Sequence, residues 1–161
     1  MNDDDISSRL SELRLELPVA SAALAAYVPC VVTGSTAFVS GQVPMMAGSL
    51  LFPGHLGDDV TVEEGADAAR RAALQALSVL REGLGSFARL RRIAQVTVFV
   101  AATPDFVEHP KVANGASELL IEVLGEEGRH ARAAVGMASL PLGASVEVAL
   151  IAEVEPQGEP G

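Results

Sequence analysis

The run Ile93-Ala-Gln-Val-Thr-Val-Phe-Val-Ala101 constrains this chain more than any other stretch, being almost entirely apolar or β-branched. A strand of that kind gains nothing from water on either side, so it belongs inside a sheet covered on both faces. Helices are available for one face. Upstream, Thr61-Val-Glu-Glu64 is a capping box, and Val62, Ala66, Ala69, Ala73, Leu77, Leu80 and Leu84 follow it as one apolar stripe. Gly83 and Gly85 terminate that helix. Downstream, after the turn Thr103-Pro-Asp-Phe106, a second helix starts near Pro110, a good first-turn residue. Its apolar face is Val112, Ala116, Leu119, Leu120 and Val123, and Gly125 and Gly128 close it. Nothing comparable is left for the other face of the strand, and a partner subunit is the economical cover.

The remaining segments complete a sheet. Residues 27–34 and 36–42 are β-rich runs separated by Gly34-Ser35 and read as a hairpin, with Ser40-Gly41-Gln42 closing it where a glycine permits close backbone approach. Residues 3–16 form a short amphipathic helix carrying Ile6, Leu10, Leu13 and Leu17, which Pro18 ends. An Ala-rich linker follows at 20–26. Residues 44–60 are a Gly- and Pro-containing loop. His55 has no other ligand at metal spacing there, and Asp58-Asp59 serve the following helix. Residues 130–154 read as two strands forming a hairpin through Leu140-Pro-Leu-Gly143, with Arg132 in the first and Glu147 in the second. A cation among Ala, Gly and Val requires a partner where it is buried: Glu147, a bound anion, or water at the surface. Asn114-Gly115 breaks the helix preference of its surroundings, and such breaches mark places to look for function.

The order is β-β-α-β-α-β-β, an α+β fold with a mixed sheet, two main helices on one face and an extra N-terminal helix. The expected division is a helical extension at 1–17, one domain at 18–155 and a flexible tail at 156–161.

Charge narrows the partners. The net charge is −10, and a surface so acidic repels phosphate backbones. The basic group Arg89, Arg91 and Arg92 reads as a solvated loop. With one Tyr and no Trp there is no stacking platform for bases, and the core must be built from Ala, Val and Leu. Cys30 stands alone, so no internal disulfide or cysteine metal site is expected. No apolar run reaches the length of a membrane span, and the acidic start MNDDDISSRL lacks a signal peptide's basic region. The expected location is the cytoplasm.

Several motifs in this order resemble the YjgF/RidA family, also called the endoribonuclease L-PSP or translation-inhibitor family, across residues 24–154. Phe38-Val-Ser-Gly-Gln-Val-Pro44 is similar to its S-G-Q-x-P segment and Val96-Thr-Val-Phe-Val100 to its V-x-V-F-V strand. Tyr27, Asn114, Ala131-Arg132, Leu140-Pro141 and Glu147 keep the family's order and spacing. The resemblance implies a chorismate-mutase-like fold and a homotrimer with sites between subunits. It further implies a cofactor-free, metal-free deaminase that hydrolyses reactive 2-imino or enamino acids to 2-keto acids and ammonia. Arg132 would hold the substrate carboxylate and Glu147 the attacking water, with Tyr27, Ser40, Asn114 and position 134 lining the cleft. The alternative is a trimer that binds small carboxylate metabolites without turnover. Deaminase members carry a cysteine two residues after the arginine, where this chain has Ala134, and the 47–60 loop and N-terminal helix are additions.

Overall fold

The computed structural model describes residues 2–20 and 26–156. Helix α1 (Asp3–Glu12) is closed by a capping box between Asn2 and Asp5, with Asp3, Asp4 and Asp5 at the positive end of its dipole. It is shorter than its apolar spacing predicts. The chain leaves it at Leu13 and turns through a left-handed Arg14, before Pro18 is reached. Ile6 and Leu10 are buried, and Asp3 accepts hydrogen bonds from Ser86 Oγ (2.6 Å), Arg81 Nε (3.1 Å) and the Phe87 amide (3.2 Å). These bonds, the serine's foremost, hold the Asp3 carboxyl below its usual range and fasten α1 to the segment around Arg81–Phe87.

Strands β1 (Cys30–Thr33) and β2 (Thr36–Gln42) form the expected hairpin, Thr33 facing Thr36. Most of the linker expected at 20–26, and the tail beyond Pro156, lie outside the described residues. The loop that follows β2 holds a small ladder absent from the sequence reading, β3 (Met45–Met46) with β4 (Ser49–Leu50). Its two turn residues, Ala47 and Gly48, both have positive φ, as a mirror-image hairpin turn requires. Asp59 does not serve the next helix: its carboxylate takes the His55 amide at 2.5 Å. Helix α2 (Val62–Leu84) is capped instead by Thr61 and Glu64 reciprocally, as its sequence predicts. It stops at left-handed Gly85, while Gly83 lies inside the helix, where a Cβ would come 2.4 Å from Cys30 Sγ.

Strand β5 (Leu90–Ala101), helix α3 (His109–Leu124), strand β6 (Ala131–Met137) and strand β7 (Val146–Val154) complete the domain. The sheet order is β1-β2-β7-β5-β6. Strands β6 and β7 therefore do not form the hairpin expected at 130–154, because β5 lies between them. β5 pairs with β6 in parallel across the α3 crossover and with β7 antiparallel. A strand-helix-strand unit brings its strands side by side in parallel, and the short Pro141–Gly143 turn carries the chain past β5 to the far side.

Both large helices cover one face, burying Val96, Val98, Val100, Val146, Val148 and Leu150. The other face has no cover among the described residues. Val31, Phe38, Val135 and Met137 project from it and are 38–47% exposed. The second cover that β5 is expected to need is not supplied by the described residues. Helices α2 and α3 touch backbone to side at Gly115, where a Cβ would fall 1.9 Å from the Ala66 carbonyl oxygen. Gly115 is thus a packing residue. Gly115→Ala is expected to destabilise the fold by about 3 kcal/mol, since backbone cannot yield as a side chain can. Urea unfolding would show it as a lowered midpoint at unchanged slope.

Candidate functional site

Arg132 lies on the edge strand β6 opposite Val96, so its side chain starts on the helix-covered face. The guanidinium reaches over α3. Nη1 donates to Asn114 Oδ1 (2.9 Å) and Ser117 Oγ (3.1 Å), and Nη2 to the Pro110 carbonyl (3.4 Å). Asn114 and Ser117 stand one turn apart on the same side of the helix. Ser117 is held in turn by His130, with Oγ 3.0 Å from Nε2, and His130 Nδ1 is 2.6 Å from the Gly128 carbonyl. A carbonyl accepts only, so Nδ1 carries the ring proton, Nε2 accepts, and the serine hydroxyl donates to it. Burial lowers the His130 pKa, and the Arg132 charge adds to this against the opposing Gly128 bond. A neutral imidazole at neutral pH leaves the serine oxygen's lone pairs to Arg132. One end of the guanidinium is therefore pinned. Its Nε makes no bond among the described residues, and Arg132 is exposed. The free edge, Nε–H beside one Nη2–H, is the two-pronged donor that a carboxylate matches.

Glu147 lies elsewhere. It faces Phe99 across the sheet, three positions along from the Arg132–Val96–Leu150 row, and therefore points to the open face. With β5 between them, ordinary strand spacing separates the two Cα atoms by roughly 14 Å. A pair between Arg132 and Glu147 does not form. The Glu147 carboxylate sits over Gly41 instead, where a Cβ would fall 1.7 Å from Oε1. The extra residue of a bulge between Val39 and Gln42 shapes β2 at this point. Among the described residues no hydrogen bond or ion pair reaches Glu147, and burial raises its pKa above the usual glutamate value. A half-buried, unpaired carboxylate with raised basicity is suited to taking a proton from water.

Of the other residues named from sequence, Asn114 joins Arg132 directly. Ser40 is engaged with Gln42, whose Nε2 donates to the Ser40 carbonyl (3.1 Å) and hydroxyl (3.2 Å). Tyr27 is half exposed and lines a cavity together with Gly41 and Gln42, away from the Arg132 group. Ala134 faces Val98 and packs against the core. Ser117 and His130 escaped the sequence reading. Ser117 follows Asn114 by one helical turn, and His130 precedes Arg132 by one strand period, so both share faces with residues already singled out. The basic group near β5 is used structurally: Arg91 pairs with Glu155 (2.7 Å), and Arg89 donates to the Glu155 carbonyl (2.9 Å). Among the described residues, no helix is long and apolar enough to cross a membrane.

Comparison with known proteins identifies the family and the fold. The model of a family described as "YjgF/chorismate mutase-like, putative endoribonuclease" matches residues 7–154. Protein TCP17 of Trypanosoma cruzi is 45% identical over 150 residues, covering 92% of this chain and 94% of that protein. Atu1372 from Agrobacterium tumefaciens, a crystal structure of unknown function, is 47% identical over 94% of both chains with a TM-score of 0.88. E. coli TdcF with bound serine, 24% identical over 84% of this chain and 93% of its own, shares the fold at a TM-score of 0.59. The family match runs from inside α1 to the last residue of β7, over the sheet and both helices just described, and the chain belongs to the YjgF/chorismate mutase-like family.

Proposed function

We propose that the chain is a cofactor-free hydrolytic deaminase of reactive 2-imino and enamino acids. The observation that carries this reading is Arg132, a guanidinium fixed at one end by Asn114, Ser117 and Pro110 with its two-pronged edge left free. That edge suits the carboxylate of a 2-imino acid. Water adds to the imine carbon as Glu147 takes one of its protons and passes it to nitrogen. The carbinol hydroxyl then gives its proton through Glu147 to the amine as the C–N bond breaks, releasing ammonia and the keto acid. The two residues face opposite sides of one sheet, so a site using both is built where the edge of one copy meets the open face of the next. A closed ring of three copies with their open faces inward provides this and covers Val31, Phe38 and Val135. Sedimentation equilibrium is expected to give a trimer at micromolar concentration, and a stable monomer there would remove the shared site.

The direct test is freshly generated 2-iminopropanoate, with ammonia release followed against the buffer rate. Release no faster than in buffer, with 2-oxobutanoate still bound, would replace the deaminase by a carboxylate-binding protein, a reading that Ala134 in the family's cysteine position favours. The endoribonuclease in the family's description finds little support in a chain of net charge −10.

A further inference from the structure

A cavity of about 590 Å³ opens between α2, the β3–β4 hairpin and the Pro141–Gly143 turn, within the size range of small-molecule sites. Tyr27, Pro29, Met45, Met46 and Leu142 give it apolar walls, and Arg71 is the one charged residue among those described that line it. The chain carries 21 acidic residues against 11 basic ones, yet no described Asp or Glu lines this cavity. Arg71 Nε donates to the Met45 carbonyl at 2.6 Å and so fixes the hairpin to the helix. Its terminal nitrogens make no hydrogen bond or ion pair among the described residues. Glu16 and Arg14 share the adjoining groove with Arg71, and neither pairs with it. Burial lowers the Arg71 pKa, which is the cost of a partly desolvated cation without a counter-ion.

The walls are also strained. Ala47 (φ 50°) and Leu142 (φ 61°) are non-glycine residues held in the left-handed region, at a cost in conformational energy. Leu142 is 66% exposed there and Ala47 is exposed, so packing among the described residues does not offset that cost. Methionines are adaptable walls for an unbranched apolar guest. A neutral guest would leave Arg71 unpaired, and a phosphate would call for more donors than one guanidinium supplies.

We infer that this cavity binds a small amphipathic carboxylate, its head on the terminal nitrogens of Arg71 and its apolar body against Met45, Met46 and Leu142. Its anchor is Arg71 rather than Arg132, and although Gly41, beneath the Glu147 carboxylate, borders the cavity, carboxylate binding at Arg71 stands whether or not the chain deaminates imines.

Titration calorimetry with hexanoate tests this, performed on Arg132→Ala protein so that the other carboxylate anchor is absent. Hexanoate should bind saturably at one per chain, and hexan-1-ol at least about 10-fold more weakly, because a charge-assisted pair is lost. Arg71→Met should abolish the preference for acid over alcohol. That variant also loses the Met45 bond, so Leu142→Asp, at an exposed position, provides a second probe. It should weaken hexanoate at least about 10-fold by like-charge repulsion, with thermal unfolding unchanged. Absence of saturable binding, equal affinity for the alcohol, or undiminished binding in Leu142→Asp would overturn the assignment. So would dissociation of the assembly by Leu142→Asp, which would show that a neighbouring copy fills the cavity.

Discussion

Arg132→Ala is expected to abolish both 2-keto acid binding and imine turnover, with the fold intact. The residue is exposed on an edge strand, and its partners Asn114, Ser117 and the Pro110 carbonyl can turn to water when it is removed. The lost pairing with a substrate carboxylate is worth at least about 2 kcal/mol, or about 30-fold in affinity, and more once a neighbouring copy excludes water. Arg132→Lys should recover part of the affinity, since an ammonium restores the charge without the parallel donors. Calorimetry with 2-oxobutanoate and ammonia release from 2-iminopropanoate together decide the matter. Normal binding by Arg132→Ala would show that the anchor lies elsewhere.

The site is partly legible in the sequence because its local rules are strong, and it fails where pairing is decided at long range. The reciprocal cap of Thr61 and Glu64 joins residues only three positions apart and is found as expected. The β6–β7 arrangement is not local. A short Pro-Gly connection between two β-rich runs reads as a hairpin, yet β5, mostly apolar or β-branched over 93–101, takes a strand on each side and separates them. The consequence for the site is direct. A hairpin would bring Arg132 and Glu147 near one another, whereas the observed register sends them to opposite faces. The breach at Asn114-Gly115 has two causes that sequence cannot separate: Asn114 holds the guanidinium, and Gly115 lets α3 meet the Ala66 carbonyl. Ser40-Gly41-Gln42 was readable as a close approach, but what approaches Gly41 is the Glu147 carboxylate from a strand more than a hundred residues away.

On the proposed deaminase reading, Glu147→Gln is expected to separate catalysis from binding. The amide keeps the shape and hydrogen-bonding capacity of the side chain but cannot take a proton from water. Binding of 2-oxobutanoate should therefore survive while deamination falls roughly 100-fold or more. In the wild type the acid limb of kcat/KM should lie above the ordinary glutamate range, because burial raises the Glu147 pKa, and this limb should vanish in the variant. Stability supplies an independent check. With its pKa raised on folding, Glu147 keeps its proton to a higher pH in the native state than in the unfolded chain. Below the unfolded pKa it imposes no penalty. As pH rises from there through the native pKa, the unfolded state ionises first and the fold loses stability. Glu147→Gln should accordingly match the wild type in acid and exceed it at neutral pH, read as a difference in Tm that opens with pH. Equal Tm at both ends would mean that Glu147 is not desolvated. Full turnover by the glutamine variant would move the water-activating role to another group on the open face.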